Sequence, residues 1–303
     1  SKRLAISRAL SFVENTDNLD MEITDALFKH LGRAYRIGVT GPPGAGKSSL
    51  VDRIITYWRA QGKRIAVISV DPTSPFTGGA ILGDRVRMGR HFADKGVFIR
   101  SMATRGSHGG LALRAQDAAD IFDAAGNDII VYETVGVGQV ELDVAKAADT
   151  TLVVLVPESG DDIQAMKAGL MEIADLFIIN KADRQGANQA FAQIQSMLEM
   201  RHPEKGQWPP QVIKTSALKD EGISNLTDAL VEHRQFLDEH GIIRQNFRDR
   251  ILFKIKSHID ENVLHKFWTQ ERRTQLDQAM TTENVMSILP GKVVDTLLKD
   301  EAK

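Results

Sequence analysis

Residues 41–48 have the types and the spacing of a phosphate-binding loop. They read Gly-Pro-Pro-Gly-Ala-Gly-Lys-Ser, which matches the pattern G-x-x-x-x-G-K-[ST]. Glycines let backbone N–H groups point at phosphate oxygens, the lysine reaches the β- and γ-phosphates, and the serine hydroxyl ligates Mg²⁺. We therefore expect a nucleoside triphosphate with Mg²⁺ here, and Lys47 as a catalytic residue. The predicted contacts are Gly41, Pro42, Pro43, Gly44, Ala45, Gly46, Lys47, Ser48 and Ser49.

A second motif, Asn180-Lys181-Ala182-Asp183, predicts which base is bound. A carboxylate at position 183 can accept hydrogen bonds from N1–H and from the 2-amino group of guanine, whereas adenine has neither donor. Lys181 would lay its aliphatic stem along the base. The segment Thr215-Ser216-Ala217 suits a loop that offers a backbone N–H to guanine O6. The sequence thus predicts GTP rather than ATP, with further contacts from Asn180, Lys181, Asp183, Ser216, Ala217 and Leu218.

Carboxylates that follow two apolar runs are candidate Mg²⁺ ligands beside Ser48. Asp71 ends the run 64–71 and Glu133 ends the run 128–133, so both should lie at the carboxyl edge of a parallel sheet, near the phosphate loop. Because Mg²⁺ keeps several waters, one or two carboxylates suffice. Asp84, in Gly83-Asp84-Arg85, is a third candidate. A capping role is the alternative for Asp71, which precedes a proline, and for Asp84.

The residues after Glu133 predict slow hydrolysis. Ras-type switches have Asp-x-x-Gly followed by a glutamine that orients the attacking water. Here the segment 133–136 reads Glu-Thr-Val-Gly, and Val137 occupies the glutamine position. Gly136 can still bring its N–H to the γ-phosphate, and Gln139 is close enough in sequence to replace the missing glutamine. We expect a slow intrinsic GTPase that a partner or dimerisation accelerates, with Glu133 and Gln139 as catalytic residues.

Short apolar runs that alternate with helical patterns indicate the fold that positions these motifs. Runs that are apolar on both faces and alternate with helices are typical of a parallel sheet covered on each side. We therefore predict an α/β fold with a mostly parallel P-loop NTPase sheet and helices on both faces. The predicted strands are 36–40, 64–71, 97–102, 128–133, 151–156, 176–180 and 212–215, and predicted helices include 47–61, 110–125, 162–172 and 223–237.

Both ends of the chain have helical patterns that lie outside this alternation. We predict an N-terminal helical extension over residues 1–34, a P-loop GTPase domain over residues 35–240, and a C-terminal helical arm over residues 241–303. In the arm, apolar side chains three or four residues apart predict one long amphipathic helix. These side chains are Leu252, Ile255, Ile259, Val263 and Phe267.

Composition excludes several classes of function. A net charge of −2 implies no general attraction to nucleic acid or to an anionic membrane. The absence of cysteine excludes disulfides, thiol catalysis and thiolate metal sites. No run approaches the ~18 apolar residues of a membrane helix. We expect no nucleic-acid or membrane partner, and a cytoplasmic location, or the mitochondrial matrix in a eukaryote.

Taken together, these motifs resemble the MeaB/ArgK (MMAA-like) family of P-loop GTPases, from about residue 35 to about residue 237. The resemblance rests on 41–48, 71–75, 77–85, 133–139, 169–172 and 180–183. It implies a chaperone that gates adenosylcobalamin loading and protects or reactivates a cobalamin-dependent acyl-CoA mutase, and methylmalonyl-CoA mutase is the client that we expect. It also implies that Ser48, Asp71, Asp84 and Glu133 surround Mg²⁺, that 158–164 responds to nucleotide, and that the C-terminal arm forms a homodimer.

Three other functions stay open at this point. A nickel- or cobalt-insertion GTPase would need Cys/His clusters, which this sequence lacks. A kinase linked to amino-acid transport would use ATP, against which Asp183 argues. A nucleotide-switch binding module with little hydrolysis is favoured by Val137. Measuring hydrolysis separates the last of these from the chaperone.

Overall fold

The computed structural model describes residues 2–15, 21–71, 88–103, 110–134, 140–158, 170–200, 206–280 and 288–299. Within them, seven strands form one sheet in which every neighbouring pair is parallel, in the order β3-β2-β4-β1-β5-β6-β7. The strands are β1 (Tyr35–Thr40), β2 (Ile65–Asp71), β3 (Val97–Ala103), β4 (Ile129–Thr134), β5 (Thr150–Leu155), β6 (Leu176–Ile179) and β7 (Gln211–Lys214).

Helices connect the strands and extend both ends of the chain. They are α1 (Lys2–Asn15), α2 (Met21–Phe28), α3 (Lys47–Ala60), α4 (Gly110–Ala124), α5 (Val140–Ala147), α6 (Leu170–Ile173), α7 (Ala187–Glu199), α8 (Ile223–Glu239), α9 (Ile242–Phe267), α10 (Gln270–Ala279) and α11 (Pro290–Lys299), with a 3-10 turn at Gly89–His91. The α/β fold class is confirmed. Each predicted strand is present, with ends that differ by one residue at most.

Both faces of the sheet are covered, as the doubly apolar strands predict. Alternate side chains of one face, such as Ile37 and Val131, pack with Leu50 of α3 and Leu226 of α8. The opposite face packs against α1, α4 and α5. The core cluster on that side includes the buried Leu10 of α1. Over β5 and β6, α6 and α7 add a third cluster. Burial on both sides leaves the carboxyl edge of the sheet as the place where loops can bind a ligand.

The chain divides into two compact units, Ser1–Leu252 and Phe253–Lys303. The first contains the sheet and its helices, and the second contains the remainder of α9, then α10 and α11. The predicted division at 34/35 and 240/241 stays a prediction. Among the helices of the described residues, none has both the length and the apolar character needed to cross a bilayer.

Candidate functional site

The phosphate loop lies between the carboxyl end of β1 and the start of α3. Its backbone has positive φ at Gly41, Gly44 and Gly46, and at Gly41 and Gly46 a side chain would also be too close to neighbouring atoms. Gly41 has φ +136°, and a Cβ there would lie 2.0 Å from the carbonyl oxygen of Val154 in β5. Gly46, the residue before α3, has φ +87°. The loop therefore lies tightly against the sheet with left-handed turns that other residues rarely adopt.

Lys47 and Ser48 begin α3, and both side chains are buried. The Lys47 Nζ donates hydrogen bonds to the carbonyl oxygens of Gly41 at 2.7 Å and Pro42 at 3.0 Å. The ammonium group is thus held against the loop whose N–H groups would receive a phosphate. The lysine predicted to bind phosphate and the N-terminus of α3 therefore lie at the same loop.

Glu133 meets Ser48 at the carboxyl edge of the sheet. Strand β4 lies beside β1 with Val39 paired to Glu133, which brings the carboxylate next to the phosphate loop. The Ser48 Oγ donates to Glu133 Oε1 over 2.5 Å, and Glu133 is only 3% exposed. A buried hydroxyl and a buried carboxylate in contact form a hard oxygen pair of the kind that Mg²⁺ prefers.

The other predicted metal and catalytic residues are placed less completely. Asp71 is the last residue of β2, where Val70 pairs with Thr134 of β4, so its backbone lies at the same edge as Glu133. The structure describes the backbone of Asp71 but not its side chain. Asp84, Gly136 and Gln139 lie outside the described residues. In the described part of the chain, no three His, Cys, Asp or Glu side chains form a metal-binding group. Among the described side chains, Ser48 and Glu133 are therefore the predicted metal ligands that are seen in contact.

The predicted base motif follows β6 and is connected to the phosphate loop through Asn180. The Asn180 Nδ2 donates to the carbonyl oxygen of Ala45 at 2.8 Å. Its Oδ1 accepts from the backbone N–H of Ala217 and from the Thr215 hydroxyl, each at 3.2 Å. A Cβ at Gly46 would lie 2.4 Å from the Asn180 Nδ2. One side chain therefore holds three loops together.

Lys181 and Asp183 are held in the same region. Lys181 adopts φ +56° and its Nζ donates to the carbonyl oxygen of Gly44 at 2.8 Å. The Ser216 hydroxyl donates to Asp183 Oδ1 at 2.7 Å, and Lys219 Nζ lies 3.8 Å from Oδ2. The hydrogen bond from Ser216 and the nearby Lys219 lower the pKa of the Asp183 carboxyl. Asp183 is thus an ionised hydrogen-bond acceptor, as recognition of guanine requires.

Two residues of this site were not predicted from the sequence. Lys219 pairs with Asp183, and Arg53 of α3 donates its Nε to the carbonyl oxygen of Ala217 at 2.8 Å. No motif identifies Arg53, because it is 164 residues from its partner in the chain. Lys219 follows the exposed Leu218. Its closeness in sequence to the predicted base-binding pair Ser216-Ala217 is the feature that could have indicated it.

The chain is similar to a known protein family and to several of its members. The family model described as "Methylmalonyl Co-A mutase-associated GTPase MeaB" matches residues 6–272. A protein of Pyrococcus abyssi is 45% identical over 300 residues, which cover 98% of this chain and 93% of the relative. The GTPase ArgK of Escherichia coli is 35% identical over 277 residues, which cover 89% of this chain and 84% of ArgK.

A solved structure shows the same architecture over nearly the whole chain. It is described as an LAO/AO transport system kinase, with a TM-score of 0.72 and 27% identity, and the alignment covers 99% of this chain and 94% of that one. The family match includes the phosphate loop, the Ser48–Glu133 pair and the Asn180–Asp183 motif. The chain therefore belongs to the MeaB family of methylmalonyl-CoA mutase-associated P-loop GTPases, the family of ArgK.

Proposed function

We propose that this GTPase binds GTP with Mg²⁺ and uses its slow hydrolysis to control adenosylcobalamin loading on a cobalamin-dependent acyl-CoA mutase, and to protect or reactivate that enzyme. Methylmalonyl-CoA mutase is the proposed client, because the family description names an association with it. The observation that carries the GTP-dependent switch is the hydrogen bond from Asn180 to Ala45, which connects the base loop to the phosphate loop.

Guanine recognition is assigned to Asp183. Its carboxylate is ionised and supported by the Ser216 hydroxyl on Oδ1, which leaves further lone pairs for N1–H and the 2-amino group. Adenine would leave this carboxylate facing a ring nitrogen without a hydrogen, so discrimination follows from an unpaired polar group. The adjacent Ala217 N–H bonds Asn180 Oδ1, so the loop geometry is fixed before the base arrives.

The described residues fit Mg²⁺. Ser48 and Glu133 provide adjacent oxygen ligands, and Asp71 and Asp84 are proposed to complete or support the shell, partly through water. When bound, the ion neutralises charge on the β- and γ-phosphate oxygens. Lys47 would turn from the Gly41 and Pro42 carbonyls to the phosphates, which keeps its charge compensated in both arrangements. Gln139 is proposed to orient the attacking water.

The C-terminal arm is proposed to form a homodimer. Helix α9 has large apolar side chains that are about half exposed and recur three or four residues apart. They are Leu252 at 40%, Ile255 at 46%, Ile259 at 56% and Val263 at 58% exposure. Such a stripe at helical spacing favours packing against another helix. A second copy of the same arm provides a matching stripe.

Two other functions have weaker support. A switch module with little hydrolysis is consistent with Val137, and the measurement below separates it from the proposed chaperone. A kinase linked to amino-acid transport is the second alternative, and the solved relative is described as a transport system kinase, but the Asp183 carboxylate with its Ser216 hydrogen bond supports guanine rather than adenine. We propose that this protein is found where its client mutase is found, in the cytoplasm or, in a eukaryote, in the mitochondrial matrix.

The proposal is tested with the full chain and purified methylmalonyl-CoA mutase. GTP turnover is measured with and without mutase, and adenosylcobalamin transfer is followed spectroscopically with GTP and with a non-hydrolysable analogue. We expect mutase to accelerate hydrolysis and the analogue to alter cofactor transfer. An unchanged hydrolysis rate together with nucleotide-independent transfer would contradict the chaperone role, and rapid turnover of several per second by the isolated chain would contradict slow hydrolysis.

A further inference from the structure

Arg53 lies on α3, the helix that begins at Lys47, and its side chain reaches the loop that follows β7. The Arg53 Nε donates a hydrogen bond to the carbonyl oxygen of Ala217 at 2.8 Å. Its NH1 lies 3.7 Å from Oδ1 of Asp220, whose side chain is 63% exposed. Because an exposed ion pair contributes little, the bond to Ala217 is the contact by which Arg53 can hold this loop.

The loop 216–221 is also closed on itself by backbone hydrogen bonds. The Ser216 N–H donates to the carbonyl oxygen of Glu221 at 2.9 Å. The N–H groups of Lys219 and Glu221 donate to the carbonyl oxygen of Ser216 at 3.1 Å and 3.2 Å. These bonds fix the ends of the loop, and they leave the peptide between Ala217 and Leu218 to be held from outside.

One backbone N–H of this loop is available for a ligand. The Ala217 N–H already donates to Asn180 Oδ1 at 3.2 Å. The Leu218 N–H makes no hydrogen bond within the described part of the chain. Leu218 is close in the loop to Ser216, whose hydroxyl bonds the carboxylate of Asp183. A free donor therefore lies near the acceptor that is assigned to guanine.

The Arg53 bond and this free donor belong to the same peptide unit. A peptide is planar, and none of the described peptide bonds is cis, so the C=O of Ala217 and the N–H of Leu218 point in opposite directions. A group that holds the carbonyl oxygen consequently fixes the direction of the N–H as well. Arg53 is that group, and it belongs to the same helix as the phosphate-binding Lys47.

We propose that Arg53 is a positioning residue for guanine recognition, which holds the Ala217 carbonyl so that the Leu218 N–H donates to guanine O6. This inference rests on the guanine site proposed above and adds to it a residue that no nucleotide-binding motif contains. Asp183 meets the two donors of the guanine edge, and the Leu218 N–H meets its acceptor. Adenine has an amino group in place of O6, so an N–H held in this direction adds to the discrimination against adenine.

The test uses the full chain and nucleotides that differ at single atoms of the guanine edge. In 6-thioguanosine diphosphate a sulfur, which is a weaker acceptor, replaces O6, whereas N1–H and the 2-amino group remain. Inosine diphosphate keeps O6 and lacks the 2-amino group. By calorimetric titration we expect the parent to bind GDP about 2- to 10-fold more tightly than the thio analogue. Arg53→Met should lose this preference and keep the parent's preference for GDP over inosine diphosphate, which Asp183 sets.

Two further variants separate positioning from charge and from stability. Glutamine has its amide nitrogen as many bonds from the backbone as the arginine Nε, so Arg53→Gln removes the charge and keeps a donor for Ala217. It should restore the preference for GDP over the thio analogue. Arg59→Met is the control on the same helix, because Arg59 is 24% exposed against 26% for Arg53 and bonds Asp94 and the carbonyl oxygen of Lys63. It should leave both preferences unchanged.

The outcomes distinguish this inference from the guanine site itself. A parent that binds GDP and the thio analogue equally, or an Arg53→Met variant that keeps the parent's preference, would overturn the positioning role. Equal losses in Arg53→Met and Arg53→Gln would overturn it as well, because they would show that the charge matters and the donor does not. Equal affinity of the parent for GDP and ADP would instead contradict the guanine site, and the role of Arg53 would fall with it.

Discussion

The side-chain amide of Asn180 donates a hydrogen bond of 2.8 Å to the carbonyl oxygen of Ala45 in the phosphate loop. The same side chain accepts from Ala217 and Thr215, and it is only 2% exposed. Because the loops proposed to bind the base and the phosphates share this residue, we expect binding at one loop to be coupled to the geometry of the other.

Replacing Asn180 with alanine tests this coupling. The change leaves a buried carbonyl oxygen and a buried N–H without partners, so we expect the free energy of unfolding to fall by about 1–3 kcal/mol. GDP affinity should fall as well, measured by calorimetry beside urea unfolding. The control is Asn188→Ala, because Asn188 bonds Lys214 at the surface and its loss should cost less than about 0.5 kcal/mol. Parent-like GDP affinity in Asn180→Ala would show that the loops are not coupled through this side chain.

Gly46→Ala should disrupt the same contact from the other side. The new Cβ would lie 2.4 Å from Asn180 Nδ2 at a residue with φ +87°, so contact and backbone strain add. We expect loss of measurable GDP binding. Gly44→Ala is the matched control, because Gly44 also has positive φ, at +77°, but no atom lies within 4 Å of its Cβ position. Gly44→Ala should be affected by strain alone, about 1–2 kcal/mol, and equal loss in both variants would contradict the steric account.

Glu133→Gln should separate metal-dependent hydrolysis from nucleotide binding. The substitution keeps the shape of a side chain that is 3% exposed but removes its charge beside Ser48. We expect Mg²⁺ affinity in the GTP complex and the hydrolysis rate to fall about 10- to 100-fold. GDP affinity without Mg²⁺ should stay close to that of the parent. Unchanged hydrolysis across a range of Mg²⁺ concentrations would remove Glu133 from the metal site.

The pH dependence of stability should reveal His233 and Asp175. Burial lowers the pKa of His233 from 6.5 to about 4 and raises the pKa of Asp175 from 3.8 to about 7. Between about pH 4 and 6.5 the unfolded chain holds a proton on His233 that the folded chain lacks, so this residue makes stability rise with pH. Over the same range the folded chain keeps a proton on Asp175 that the unfolded chain has lost, so this residue makes stability fall with pH.

The two opposing contributions should largely cancel in the parent protein, and a single substitution should expose the other one. Relative to the parent, the free energy of unfolding of His233→Gln should fall as pH rises from about 4.5 to 6.5, and that of Asp175→Asn should rise, each by at most about 1.4 kcal/mol per pH unit. Urea unfolding at several pH values measures both. Parallel pH profiles for parent and variants would show that neither pKa is shifted.

Much of this fold follows from local sequence. Strands such as Ile65–Asp71 are apolar on both faces, and the loop 41–48 and Asp183 come where strands end, so a parallel sheet and its functional edge could be predicted. The individual side-chain contacts could not be predicted from the sequence. Asn180 bonds a carbonyl oxygen 135 residues away, and Tyr35, Thr150 and His233 meet from three separate elements. Such contacts depend on strand order and helix packing, which no local pattern contains.

The central claim is that Asp183 selects guanine, and calorimetric titration of the parent and Asp183→Asn with GDP, ADP and xanthosine diphosphate tests it most directly. The amide of asparagine can donate to the C2 oxygen of xanthine, where guanine has its 2-amino group. We expect the parent to bind GDP at least about 100-fold more tightly than ADP, and Asp183→Asn to prefer xanthosine diphosphate over GDP. Equal affinity of the parent for ADP and GDP, or unchanged GDP affinity in Asp183→Asn, would contradict the account.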